Sequence, residues 1–213
     1  MTSYLESTRN SYNTVAADYH KLVAPRFDDP HHRAIIGLYG DLLAAGDAGP
    51  VGDLGCGPGH VTAYLAELGI DAFGMDLSPA MVDFARAEYP DLKFDVGSLL
   101  DLPLPDNGLA GALAFYSLVH TPAEDLPTAF AEIHRVLAPG GLFLHGFKAG
   151  TATYHLTEGY GHPIELDVYA YEPAAIHELL VAAGFVEVSR LTRPAALDFE
   201  KTDQAFLIYR KPA

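Results

Sequence analysis

Apolar positions recur at two different periods along this chain, and the two periods take turns. A short apolar run ends near Asp53 and reads as a strand. Behind it Val61, Tyr64, Leu65 and Leu68 recur at helical spacing as far as Gly69, a residue suited to ending a helix. "DAFGMD" (residues 71–76) reads as a second strand, and Ser78 with Pro79 makes the N-cap and first position of a helix through Met81, Phe84 and Ala85 that ends before Pro90. A strand over residues 92–96, a proline-rich loop and the nearly continuous apolar run of residues 110–116 follow. A run without polar alternation is the pattern of a strand buried on both faces. A helix over residues 125–137, a Pro139-Gly140-Gly141 turn and a strand over residues 142–147 complete the series.

This alternation predicts an α/β fold: a doubly wound, mostly parallel sheet of seven strands, Rossmann-like. The last third departs from it. A helix over residues 173–183 ends at Gly184, and strands over 185–191 and 205–210 follow with no helix between them, so the last strand is expected to run antiparallel. Residues 1–48 and 149–172 fall outside the sheet pattern and are expected to form an N-terminal helical cap and a lid or substrate segment. The cofactor-binding core would span 49–148 and the C-terminal helix and strand pair 173–213, all within one domain.

With 213 residues, 49% of them hydrophobic, the chain can bury a full core. Thirteen Lys and Arg against 28 Asp and Glu give a net charge of −15, which repels nucleic-acid backbones and anionic lipid surfaces. Cys56 is the only cysteine, so no intrachain disulfide can form, and it reads as a small buried residue. "MTSYLESTRN" has neither a basic nor an apolar leader region, and no apolar run approaches the roughly 20 residues of a membrane span. A cytoplasmic protein is expected. His31 and His32 are adjacent and diverge on a helix, and no paired metal-ligand spacing appears, so no metal is expected.

The chemistry concentrates in "VGDLGCGPGH" (residues 51–60). Ligands of open α/β sheets bind beyond the carboxyl ends of the strands, where this loop lies. Glycines at 55, 57 and 59 allow positive φ and bring backbone N–H groups against a ligand at a helix N-terminus. The spacing is Gly-x-Gly-x-Gly, with His60 where a dinucleotide fingerprint would continue, and no Gly-Lys-Ser/Thr ending supports a P-loop.

"DLGCGPG", "GMDLSPAM", "LPLPDNGLAGALAFYSLVH" and "RVLAPGGLF" occur in the order of the motifs of class I S-adenosylmethionine-dependent methyltransferases, which residues 51–147 resemble. The resemblance implies that Asp53 and Gly55 hold the methionine amine of S-adenosylmethionine, with Gly57 and Gly59 completing the loop around the methionyl chain. Asp76 would take both ribose hydroxyls and Leu77 would pack on the adenine. Ser98 and the Leu99 N–H would meet the adenine edge, and Phe115 joins the same cofactor-binding set. Many members carry Asp where this chain has Ser98, so the adenine amino group would be met more weakly, or by a backbone carbonyl or a water. Leu109-Ala110 stands where many read Phe-Asp, a difference expected to be structural.

Tyr12 and Tyr19, seven residues apart, share a helix face with Val15 and Ala16, which suits either core packing or a cap whose tyrosines reach the methionine carboxylate. Arg26 is a further candidate for that carboxylate. The acceptor is expected beyond the fourth and fifth strands, near Ser117, His120, His145 and Lys148. His120 is the first candidate for base or acceptor-orienting group, although a histidine after this strand can equally cap or pack, and His145 the second, although a histidine inside a strand is more often a satisfied core residue. The segment of residues 154–173, with Tyr154, Tyr160, Tyr169, Tyr171, His155, His162 and Asp167, would suit the wall of a small pocket or a connecting loop. The expected activity is methyl transfer to an N, O, S or C acceptor on a small molecule by a monomer or homodimer, releasing S-adenosylhomocysteine. The alternatives are a non-catalytic S-adenosylmethionine-binding subunit and, disfavoured by His60, an NAD-dependent oxidoreductase.

Overall fold

The computed structural model of the protein describes residues 3–23, 29–197 and 200–213. Its core is one seven-stranded sheet in the order β3-β2-β1-β4-β5-β9-β8. Five strands run in the order the periodicity predicts: β1 (Val51–Leu54), β2 (Ala72–Asp76), β3 (Lys93–Val96), β4 (Leu109–Phe115) and β5 (Leu137–Ala149). All neighbours among them pair in parallel. β9 (Asp203–Arg210) lies antiparallel between β5 and β8 (Val186–Arg193), as the missing crossover helix requires. Its residues from Gln204 to Tyr209 are all buried, whereas edge strand β8 alternates, which is why only β8 carries a polar period of two.

Helices cover both faces. α5 (Leu126–Val136) and α6 (Pro173–Ala182) bury Phe130, Ile133, Ile176 and Leu180 against Phe143 and Tyr209. α2 (Pro30–Ala44) and α3 (His60–Glu67) cover the opposite face through Ile36, Tyr39, Val61 and Leu65. The buried Tyr39 hydroxyl donates between Ala112 O at 3.1 Å and Leu142 O at 3.2 Å, tying α2 to the sheet. Gly111 is required there: a Cβ would stand 2.3 Å from the Tyr39 oxygen. α2 is thus a sheet-covering helix, and the covering role expected of residues 1–48 falls to α1 (Ser3–Val23), which packs on α4 (Pro79–Glu88) and on the strand His162–Tyr169.

Two departures from the sequence pattern matter. Pro139-Gly140-Gly141 is a bulge inside β5 rather than a turn before it: the β4–β5 register shifts between Leu109 and Gly111, and Gly140 adopts φ +82°. Residues 153–169 form a separate antiparallel hairpin, β6 (Thr153–Gly159) and β7 (His162–Tyr169), whose buried Ile164 and Leu166 meet Val15 and Ala16 of α1. α1 and this hairpin together stand over the carboxyl ends of β1 and β4, where the strand order reverses and a crevice opens.

Candidate active site

The glycine loop leaves β1 and enters α3 through three residues of positive φ: Gly55 at +82°, Gly57 at +53° and Gly59 at +88°. Only at Gly57 would a Cβ find room, in ordinary contact with the Tyr19 ring at 3.9 Å. A Cβ on Gly55 would meet the Ser117 Cβ at 2.1 Å, and one on Gly59 would meet the Phe94 ring at 2.8 Å. Packing by the protein itself, not ligand approach alone, excludes side chains at two of the three positions.

The Asp76 carboxylate accepts N–H bonds from Gly57 and Ser78, both at 2.8 Å. Burial raises its pKa, against the backbone N–H bonds of Ser78, Gly57 and Leu77. Ser78 caps α4, its hydroxyl accepting the Met81 N–H at 3.2 Å and donating to Asn13 Oδ1 of α1 at 2.7 Å. Around Asp76 runs a first cavity walled by Leu77, Ser98, Leu99, Phe115 and Ser117. Ser98 Oγ accepts the Leu100 N–H at 3.2 Å, and its carbonyl accepts the Asp101 N–H at 3.2 Å. Ser117 Oγ is buried on this wall with no partner among the described residues, an orphaned polar atom that a ligand would satisfy.

A second cavity of about 360 Å³ shares Tyr12, Tyr19, Gly55, Gly57, Phe115, Tyr116 and His120 with the first. Asp53 lies at its glycine-loop end, 1% exposed, accepting the Thr62 hydroxyl at 2.7 Å. Burial pushes its carboxyl up to about 7, partly offset by the Thr62 bond. A cation beside this carboxyl would favour its ionised form.

His120 joins three elements. Its Nδ1 lies 2.6 Å from the Asp167 carbonyl of β7 and its Nε2 lies 2.8 Å from the Tyr12 hydroxyl of α1. A carbonyl only accepts, so Nδ1 carries the proton and Nε2 accepts from Tyr12. Burial, with a contribution from the Lys148 charge, lowers the ring's pKa to about 4 against the Asp167 carbonyl bond. The ring is neutral near pH 7. Tyr12 therefore meets His120 here, in addition to standing edge-on to Tyr19 at 5.5 Å between centroids.

His145 does not line either cavity. It is stacked between Phe143 and Phe147, with Nδ1 3.1 Å from the Ala114 carbonyl, because its place in β5 turns it into the apolar layer under α5. The expectation that it stands near the reacting centre is corrected accordingly. Gly59 lines neither cavity, serving as the left-handed N-cap of α3, and Arg26 lies outside the described residues. Tyr12, Tyr19, Asp53, Gly55, Gly57, Asp76, Leu77, Ser98, Leu99, Phe115 and His120 all come to the joined cavities.

Several wall residues carried no sequence signal. Tyr116 holds φ +60° at the end of β4, costly for an aromatic residue, and its hydroxyl is 3.3 Å from His32 Nε2. Glu200 and Lys201 come from the β8–β9 connection, and Arg193 grips Glu200 at 2.6 and 2.7 Å and Asp29 at 2.9 Å. Among the described residues no cluster of ligands suits a metal ion.

Residues 51–141 match the methyltransferase domain family. That stretch, which holds the glycine loop and Asp76, is similar to S-adenosylmethionine-dependent methyltransferases. It is 34% identical over 122 residues to a malonyl-[acyl-carrier protein] O-methyltransferase of Serratia marcescens, covering 56% of this chain and 47% of that protein. The chain spans about half the length of the curated methyltransferases it matches. Two solved methyltransferase-fold structures superpose over nearly its whole length. The DhpI complex with S-adenosylhomocysteine gives a TM-score of 0.76 at 21% identity, over 98% of this chain and 97% of that one. The Burkholderia thailandensis 1,6-didemethyltoxoflavin-N1-methyltransferase, bound to 1,6-didemethyltoxoflavin and S-adenosylhomocysteine, gives 0.71 at 22%, over 100% of this chain and 92% of that one. At these identities the structures speak for the methyltransferase fold, which is the fold the sequence pattern predicts.

Proposed function

We propose that the protein is an S-adenosylmethionine-dependent methyltransferase that transfers the methyl group to an acceptor on a small molecule. The observation that carries this reading is the pair of carboxylates, Asp53 and Asp76, at the glycine loop, where the Gly57 N–H is already given to Asp76. A pyrophosphate at the loop would meet the buried Asp53 carboxyl and one amide fewer to bind it, which disfavours NAD. A ligand with an ammonium and a sulfonium at one end and a ribose at the other fits both acids.

Asp53 would hold the methionyl amine with Gly55, and Asp76 the ribose hydroxyls. Leu77, Ser98, Leu99 and Phe115 would enclose the adenine, while Tyr12 and Tyr19 of α1 and the β6–β7 hairpin would close over the methionyl end. When bound, S-adenosylmethionine supplies a methyl group activated by the sulfonium; the acceptor's lone pair forms the new bond as the carbon–sulfur pair stays on sulfur. The chain's own task is alignment in a dry site. His120, neutral and fixed as the Nδ1–H tautomer, accepts the Tyr12 hydroxyl at Nε2 and so sets that hydroxyl on the wall shared by both cavities, where its oxygen orients the acceptor group. With a pKa near 4 the ring is a weak proton acceptor at neutral pH.

Two short covering elements enclose a metabolite more readily than they dock a nucleic acid, which a net charge of −15 repels. The reading takes the protein as a cytoplasmic monomer or homodimer; no helix among the described residues is long and apolar enough to cross a membrane.

Asp53 makes cofactor binding proton-linked. The folded protein holds this carboxyl protonated up to about pH 7, whereas an unfolded chain ionises it near 4, so between those values Asp53 lowers stability as pH rises. A bound ammonium favours the ionised form and expels the proton. Calorimetric titration with S-adenosylhomocysteine at about pH 6, in buffers of different ionisation enthalpy, should therefore show proton release that Asp53→Asn abolishes, with affinity rising towards pH 7. Tight NAD binding without S-adenosylhomocysteine binding would overturn the cofactor assignment.

A further inference from the structure

The groups behind the Tyr12 hydroxyl fix the sense of its hydrogen bonds. The Asp167 carbonyl can only accept, so His120 Nδ1, 2.6 Å from it, carries the ring's proton and Nε2 is left as an acceptor. The Tyr12 hydroxyl, 2.8 Å from Nε2, must then donate to it. Among the described residues Tyr12 makes no other hydrogen bond, so what it still offers is the lone pairs of its oxygen. A tyrosine hydroxyl ordinarily donates or accepts as its ligand requires. This one only accepts.

Tyr12 stands on the wall that the two cavities share. Beyond it the second cavity, of about 360 Å³, is lined by Phe115, Val119, Leu166 and Val168, and its two lysines stand against two carboxyl groups, Asp53 and Glu200. Selection at the Tyr12 oxygen therefore falls to whether the ligand group has a proton to give. A carboxylate or a tertiary amine would set lone pairs against lone pairs and leave a buried acceptor unsatisfied. A methyl acceptor also needs a lone pair of its own, which an ammonium lacks. The two conditions together leave a hydroxyl or an uncharged amine N–H.

We propose that the acceptor is an alcohol, a phenol or a primary or secondary amine, bound uncharged in the second cavity with its O–H or N–H donated to the Tyr12 oxygen and its apolar body along Phe115 and Val168. This rests on the methyltransferase reading and names its substrate class.

The test is ligand-observed NMR titration of the protein saturated with S-adenosylhomocysteine, using four compounds of nearly one shape. Phenol and aniline donate, pyridine N-oxide only accepts, and fluorobenzene has no proton to give. At least one of phenol and aniline is expected to bind about 5- to 10-fold more tightly than the other two compounds, as one net hydrogen bond implies. The better of the two decides between O–H and N–H. Tyr12→Phe should abolish the preference over fluorobenzene. In His120→Ala the Tyr12 hydroxyl is released to donate, so the ratio of donor affinity to pyridine N-oxide affinity should fall about fivefold, whereas a general loosening of the covering elements would weaken all four compounds alike. Equal or tighter binding of pyridine N-oxide to the wild type, no detectable binding of phenol or aniline, a preference that survives Tyr12→Phe, or a ratio unchanged in His120→Ala overturns the inference. Failure of S-adenosylhomocysteine itself to bind the wild type would instead overturn the cofactor reading.

Discussion

Asp76→Ala is expected to weaken S-adenosylhomocysteine binding by about 10- to 150-fold, the equivalent of roughly 1.5–3 kcal/mol for hydrogen bonds to a charged group. Two losses combine. The ribose loses its proposed acceptor, and the Gly57 and Ser78 amides lose the carboxylate that now satisfies both at 2.8 Å. Ser78 also caps α4 and joins Asn13 of α1, so the defect reaches the covering helix. Asp76→Asn should fall nearly as far, because its amide NH₂ would face a backbone N–H where an acceptor is needed. Calorimetric titration of both variants checks this, with thermal unfolding run alongside to separate binding from folding. Wild-type affinity in Asp76→Ala would remove this residue from the cofactor site.

His120→Ala should lower kcat/KM about a hundredfold and S-adenosylhomocysteine affinity by a much smaller factor, since its first role is placing the acceptor rather than holding the cofactor. The ring's hydrogen bonds to Tyr12 and to the Asp167 carbonyl tie α1 and β7 to the loop after β4, so removing it also loosens the covering elements. The pH profile gives an independent check. A histidine whose pKa is lowered to about 4 stays neutral above about pH 5, so at saturating S-adenosylmethionine, where Asp53 is already ionised, the wild-type rate should show no limb near 6.5 and should fall only as pH drops towards 4. A rising limb near 6.5 would mean that the ring titrates as an exposed histidine does.

Most of the sheet was legible because its strands and helices differ in period, and because the glycine loop and Asp76 lie in local motifs. What was missed has local causes. The β6–β7 hairpin turns through Tyr160 at φ +57° and Gly161 at +80°, and a tyrosine at a left-handed position hides a turn that Asn-Gly would announce. The Pro139-Gly140-Gly141 run looks like a turn, yet the backbone of Gly140 and Gly141 pairs with Lys211 and keeps the strand going. His145 carries the same chemistry as His120, but it lies inside β5, a position that suits a core histidine and where it stacks between Phe143 and Phe147, whereas His120 lies in the loop after β4. Lys201, Glu200 and Tyr116 reach the site through loop path and a strained backbone, both properties of the assembled fold.

The most direct measurement is incubation of the protein with S-adenosylmethionine labelled on the methyl group and a cell extract separated into metabolites, protein and RNA. The account predicts label in a metabolite, and about a hundredfold less of it in His120→Ala. Label in protein or RNA, or in no fraction, would contradict it.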